Sequence, residues 1–203
     1  MTDPTPLGAG LADTARQLGD ALRRAGFTTA GIAEHLGPVA SQALYRGEPG
    51  VVRHACADGS DLSRLIRFFI LRTPVAPSEL ERVLPAALVR SLIDDAVVAP
   101  VPDSGHIRVA LDIRPHVIGG EERLVFSDLD ASMSDVVPGR EHVLGVGAAS
   151  LSLLSAAPSS PARTVLDLGT GSGVQALMQA GVSERVVATD IHGRALELSL
   201  IHI

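Results

Sequence analysis

Lysine and tryptophan are absent from this 203-residue chain, and cysteine occurs once. Each gap removes a class of explanation. A lone Cys56 permits no disulfide framework and no cysteine-built zinc site within the chain. Aromatics are confined to Phe27, Tyr45, Phe68, Phe69 and Phe126, so the apolar content that builds a core is aliphatic. Every basic side chain is arginine, which with the abundance of Ala, Val and Gly fits coding bias more than function. The formal charge of −6 offers no global attraction to nucleic acid or to an anionic membrane. No apolar run approaches the length of a membrane span, and the N-terminus lacks the basic-then-apolar pattern of a signal peptide. A soluble, cytoplasmic protein is the expectation. The seven histidines are scattered, with no pair at metal-ligand spacing on a plausible shared helix, so no metal is expected. The chain also lacks a Gly-x-Ser-x-Gly elbow and a phosphate loop ending in Gly-Lys-Ser/Thr.

What the chain does have is Thr164-Val-Leu-Asp-Leu-Gly-Thr-Gly-Ser-Gly-Val174, answered by Val186-Val-Ala-Thr-Asp-Ile191. Val165, Leu166 and Leu168 read as a short strand buried on both faces. Gly169, Gly171 and Gly173 punctuate a tight turn, and Val174 to Ala180 has helical composition. A second apolar run ends on Asp190. Strand, glycine turn, helix, strand and terminal acid make half of a mononucleotide-binding sheet. Alternate glycines clear side chains where a ligand approaches the backbone. The helix that follows would offer free N–H groups to an anion. At the end of the neighbouring strand, Asp190 could accept hydrogen bonds from both hydroxyls of a ribose, and Ile191 could pack against a flat base.

The dinucleotide fingerprint needs a third glycine where Val174 stands, which argues against NAD. Instead, Asp167-Leu-Gly169-Thr-Gly171-Ser-Gly173 resembles motif I of the class I S-adenosylmethionine-dependent methyltransferases, and Asp190 matches the acid of their second strand. The resemblance implies S-adenosyl-L-methionine as cofactor, with Asp167, Gly169, Thr170, Gly171, Ser172, Gly173, Asp190 and Ile191 around it. Glu141 to Ser150 looks like the segment preceding the sheet in the "small domain" group, which includes ribosomal RNA guanine and release-factor glutamine methyltransferases. There it lies close to the cofactor. The likeness covers Gly139 to about Glu197. A structural turn in another Rossmann-like protein is the alternative.

Ahead of it the chain reads as helices. Leu11, Ala15, Leu18 and Leu22 mark one face of a helix ending near Gly26. Thr28 or Thr29 caps a second helix carrying Ile32 and Leu36 and stopping at Gly37-Pro38. Arg46, Arg53 and His54 fall in a less regular stretch. A third clear helix starts at Ser60 or Asp61 with Leu62, Leu65, Ile66 and Phe69 on one side, leaving Arg64, Arg67 and Arg72 as a solvated face. Ser78 and Glu81 form a capping box for a short helix to Leu84. Pro85 opens another with Leu88, Leu92 and Ile93 inward. The period then drops to two at Ile107, Val109, Leu111 and Ile113. Val97 to Val101 can pair with this run through a turn at Asp103-Ser-Gly105, and a further hairpin can turn at Gly119-Gly120.

Helices followed by a hairpin are the order of a winged helix. Yet thirteen arginines stand against eighteen acids between Met1 and Pro138, and the would-be recognition helix carries Asp94 and Asp95 beside Arg90. Direct DNA reading is disfavoured. The expected organisation is a loose tail over 1–10, a mostly helical, winged-helix-like α+β accessory domain over 11–137, and over 138–203 the first part of a Rossmann-like methyltransferase sheet. Gly145 and Gly147 mark either a bend or a close approach of another backbone or ligand. A helix from about Ala148 to Ala157 would carry Leu151 and Leu154 onto the sheet. Such a sheet usually has seven strands, of which two are visible, and the group's Asn-Pro-Pro-type catalytic motif is missing. The expectation is a truncated reading frame, inactive by itself, from a parent enzyme methylating nitrogen in RNA or protein. Such a fragment would bind cofactor weakly if at all, and Leu198-Ser-Leu-Ile-His-Ile203 reads either as a foreign end or, in the alternative, as the apolar terminal helix of a natural short protein. Catalytic residues are unknown, no membrane is involved, and the rival class is a non-enzymatic winged-helix-like binding module with a degenerate nucleotide-binding half.

Overall fold

A computed structural model describes residues 6–129, 138–158 and 160–201. The chain is a mixed α/β protein whose strands, among the described residues, form three separate two-stranded sheets. Helix α1 (Leu11–Arg24) buries Leu11, Ala15, Leu18 and Leu22, the face its spacing predicts. Thr28 caps α2 (Thr29–Tyr45), accepting from the Gly31 amide at 3.0 Å. The expected stop at Gly37 is a one-residue break, with φ at 67°, after which Pro38 restarts the helix. The stretch read as irregular contains α3 (Pro49–Ala55), which Pro49 starts. Only Val52 is buried along it, so no apolar stripe announced the helix.

Ser60 caps α4 (Asp61–Leu65), which continues as a π-helical turn over Ile66–Ile70. The wider turn brings Phe68 and Ile70 inward together with Ile66 and Phe69, more than a regular helix face would bury. Phe69 meets Phe27 and Phe68 edge-on, with ring centroids 5.9 Å and 5.0 Å apart. Such pairs add about 0.5–1.5 kcal/mol each beyond burial. Past the turn, Arg72 departs from the expected solvated face. Its side chain is 7% exposed and lies 3.6 Å from the carboxylate of Asp112. Arg67 is exposed as expected, and half-buried Arg64 pairs with Asp61.

Helix α5 (Pro77–Leu80) begins two residues earlier than the capping box placed it. Pro77 occupies its first position, and Glu79 rather than Glu81 reaches back, to the Ala76 amide at 3.5 Å. Helix α6 (Ala86–Asp94) buries Leu88, Val89 and Leu92. Asp95, counted from sequence as an anionic charge beside the helix, is instead buried. Its carboxylate accepts from the Thr14 hydroxyl at 2.6 Å and the Gly10 amide at 3.2 Å.

Strands β1 (Val98–Pro100) and β2 (Ile107–Val109) pair antiparallel, Val98 opposite Val109, as the turn at Asp103 to Gly105 requires. The second hairpin, β3 (Leu111–Ile118) with β4 (Glu121–Asp128), turns at Gly119-Gly120, both at positive φ. This hairpin joins the halves of the molecule. Leu111, Ile113 and Phe126 belong to the main core with the N-terminal helices. Farther along, Ile118 and Val125 pack with Val174 and Leu177 in a second cluster. Gly145 lies so close to β4 that an added Cβ would sit 2.8 Å from Ser127 Oγ, a side chain rather than the backbone or ligand expected there, and Gly147 has nothing within 4 Å. The domain boundary expected near Pro138 adjoins residues 130–137, outside the described residues, as are residues 1–5 of the expected tail and the terminal His202 and Ile203.

The last elements are α7 (Ala148–Ala156), β5 (Val165–Leu168), α8 (Val174–Ala180), β6 (Val186–Thr189) and α9 (Gly193–Leu200). Two expectations fail here. Leu166 and Leu168 are 61% and 83% exposed, so β5 is not buried on both faces. The strand pairs only with β6, and no described element covers the face those leucines share. Leu151 of α7 is also exposed, while Leu154 packs against the second cluster.

Candidate cofactor-binding site

Strands β5 and β6 lie parallel in register, Val165 opposite Val186 and Leu168 opposite Thr189. The turn after β5 hangs from the end of β6. Both the Gly169 and Thr170 amides donate to the Thr189 carbonyl, at 2.8 Å and 2.9 Å. This register brings the next residue of β6's chain, Asp190, to the turn. Its Oδ2 accepts from the Gly171 amide at 3.0 Å, and its Oδ1 from the His192 amide at 3.0 Å. The His192 amide first, with the Gly171 amide, holds the Asp190 carboxyl below the usual carboxylate range, while burial opposes them. A carboxylate oxygen has more than one acceptor site, so each retains capacity for a further donor.

Gly169, Gly171 and Gly173 all have positive φ, between 54° and 83°, the region where a side chain is penalised. Their surroundings differ. A Cβ added at Gly169 or Gly171 meets nothing within 4 Å, whereas one at Gly173 would stand 3.0 Å from Ser199 Cβ on α9. Gly173 therefore serves helix packing, with its side-chain-free face toward α9.

Asp167 is occupied within the turn. Its Oδ2 accepts from the Thr170 hydroxyl at 2.8 Å and from the Ala176 amide at 3.1 Å. The carboxylate thus takes one of the N-terminal amides of α8 that sequence reasoning reserved for an external anion. The chain supplies that anion itself.

A cleft of about 400 Å³ opens beside the turn. One wall is Glu141 to Leu144, the opposite one Gly169 to Ser172 with Asp190 and His192. Of the predicted residues, Gly169, Thr170, Gly171, Ser172 and Asp190 line it. Asp167 lies behind the turn, Gly173 faces α9, and Ile191 is 92% exposed, apart from the cleft lining. His192 and Gln175 were not singled out from sequence. His192 Nδ1 stands 4.0 Å from Glu141 Oε1 across the cleft, and Gln175 Nε2 donates to the Ser150 carbonyl at 3.1 Å, tying α8 to α7. The only sequence signal for His192 was its place two residues after Asp190, at the start of α9.

A buried ion pair holds the wall. Asp128, the last residue of β4, receives Arg194 Nη2 at 2.6 Å and Nε at 3.1 Å, while its Oδ2 accepts from the Val143 amide at 3.0 Å. The side chains are 7% and 11% exposed. One carboxylate thereby fixes both the Glu141–Leu144 wall and the first turn of α9. Among the described residues no group of three or more His, Cys, Asp or Glu could hold a metal ion, and no helix is long and apolar enough to cross a membrane.

Residues 24–110 match the model of a family described as Domain of unknown function (DUF7059). The match runs from the end of α1 through β2 and stops before every residue of the cleft. No curated protein matches the chain.

Proposed function

We propose that the chain carries the cofactor-binding half of a class I S-adenosylmethionine-dependent methyltransferase, whose parent methylates a nitrogen of RNA or protein. The observation that carries this reading is the junction of Gly171 and Asp190 at a cleft bordered by Glu141 to Leu144. The residues fit the group. Space beside Gly169 and Gly171 is open, and both Asp190 oxygens retain acceptor capacity for a ribose diol. The cleft falls within the roughly 300–1,000 Å³ of small-molecule sites. Gly169 and Gly171 would border the amino-acid end of the ligand, and Asp190 would hold the sugar. The bound cofactor supplies an electrophilic methyl group, and the protein's share is orientation and exclusion of water. The Asp128–Arg194 pair supports that orientation by tying the Glu141–Leu144 wall to the start of α9. No residue here is assigned to the methyl acceptor.

Calorimetric titration with S-adenosylhomocysteine and, separately, NAD tests the proposal. Binding of the first alone, weakened at least tenfold by Asp190→Ala, supports it. Preference for NAD, or indifference to Asp190→Ala, overturns it.

A second reading, a winged-helix-like binding module, draws on one contact. Val75 bridges to Ile107, so that α4, an extended residue, α5, α6 and the β1–β2 hairpin follow in winged-helix order. That arrangement serves substrate handling in the first reading equally well. A chain that bound an oligonucleotide or peptide and ignored S-adenosylhomocysteine would favour the second.

A further inference from the structure

A larger cleft lies away from the glycine turn, between α2 and β3, enclosing about 620 Å³. Its floor is apolar, made by Ile32, Leu36, Leu44 and Ile70. Two polar groups on its lining, Arg114 and His116, have unused hydrogen-bonding capacity, and a third lies buried beneath the surface. The Ser41 hydroxyl is buried and has no partner among the described residues. His116 makes no ring hydrogen bond there. Arg114 uses its Nε on both oxygens of Asp112, at 2.9 Å and 3.0 Å, and its terminal amino groups make no further bond among the described residues. Tyr45, 90% exposed, and Arg46 stand at the rim.

The acids nearby are already engaged. Asp112 holds Arg114 and Arg72, Glu48 holds Arg46, and Glu122 accepts from the Thr29 amide and hydroxyl at 2.6 Å and 2.8 Å. Burial first, then the Arg114 charge, lowers the His116 pKa, while Asp112 and Glu122 oppose this; Arg123 faces it from β4. An apolar floor with a guanidinium and an imidazole at its edge complements an anionic group on an apolar body. Water could satisfy Arg114 and His116 but would leave Leu44 and Tyr45 wetted, an arrangement that apolar burial disfavours.

We propose that the α2–β3 cleft is a separate small-molecule site for an organic anion, a carboxylate or similar acid group on an apolar body. The body covers half-buried Leu44 and the small faces of Ile32, Leu36 and Ile70 that the core leaves open. The acid group pairs with Arg114 and meets the His116 ring beside it. This site is independent of the cofactor reading, because none of its residues borders the glycine turn.

Calorimetric titration with 1-naphthoate and its uncharged counterpart 1-naphthalenemethanol provides the test. Wild type should bind naphthoate one-to-one, at least tenfold more tightly than the alcohol. Arg114→Gln should abolish that preference. Since this change also strips a partner from buried Asp112, Ala33→Trp on the exposed rim serves as a second variant that fills the cleft from outside. It should remove naphthoate binding while leaving the circular dichroism spectrum and the titration with S-adenosylhomocysteine unchanged. Equal affinity for acid and alcohol, no measurable naphthoate binding to wild type, or binding that survives Ala33→Trp would each overturn the proposal.

Discussion

Replacing Asp128 by alanine removes the carboxylate that receives Arg194 and the Val143 amide. Breaking one side of a buried ion pair costs about 3–5 kcal/mol, because the remaining charge keeps its desolvation penalty. The stranded Val143 amide would add about 1–3 kcal/mol by itself. Neighbouring losses do not add fully, so we expect a net cost of about 3 kcal/mol. With a urea m-value of roughly 2 kcal/mol/M, the midpoint should fall by about 1.5 M. The chain has no tryptophan, so unfolding is best followed by far-ultraviolet circular dichroism. A double variant, Asp128→Ala with Arg194→Met, should recover much of the loss, since an apolar pair of similar volume often substitutes for a buried ion pair. Removing Glu48 from its exposed pair with Arg46 should leave the midpoint unmoved. A loss below about 1 kcal/mol for Asp128→Ala, or no coupling in the cycle with Arg194→Met, would refute the argument. Because the same carboxylate ties the Glu141–Leu144 wall of the proposed cofactor cleft to α9, affinity for S-adenosylhomocysteine should fall in Asp128→Ala even where the protein stays folded.

Other consequences are separable. Gly173→Ala should destabilise more than Gly169→Ala in urea titration; both incur a positive-φ penalty of about 1–2 kcal/mol, but only at Gly173 does the new methyl meet α9. Since its hydrogen bonds depress the Asp190 pKa, the stability they contribute is present above the ordinary aspartate value of 3.8 and lost as pH falls through the lower folded value. Titrations with S-adenosylhomocysteine should accordingly show an affinity independent of Asp190 ionisation down to about pH 5. Cys56 is buried, and that burial raises its thiol pKa, so Ellman's reagent should react with it only as the chain unfolds. Leu168→Lys should change stability by less than about 0.5 kcal/mol while reducing aggregation in light scattering, since Leu168 is 83% exposed.

Local patterns carried much of this architecture into the sequence. The apolar period of α1, the cap at Thr28, the two hairpin turns and the strand–turn–helix around Gly169 each depend on residues close together in the chain. Features that depend on distant partners were harder to read. Arg72 and Asp95 look like surface charges until Asp112 and Thr14 are brought beside them. The capping box at Ser78 was a valid local alternative that Pro77 outcompeted. Helix α3 has one buried residue, too few to impose a period. β5 satisfied the pattern of a doubly covered strand, but burial of Leu166 and Leu168 needs a neighbour no local pattern can supply. At the cleft beside the glycine turn, the motif pointed to the glycines and Asp190, while Asp128 and Arg194 were invisible because 66 residues separate them.

Tyr45 projects from the rim of the α2–β3 cleft, and it is the chain's sole tyrosine. With no indole present, nearly all intrinsic emission must originate from this one phenol. The protein therefore carries a built-in optical probe at a single address. Quenching or shielding there would report events at that rim without any attached dye, while the glycine turn, which holds no tyrosine, would remain dark.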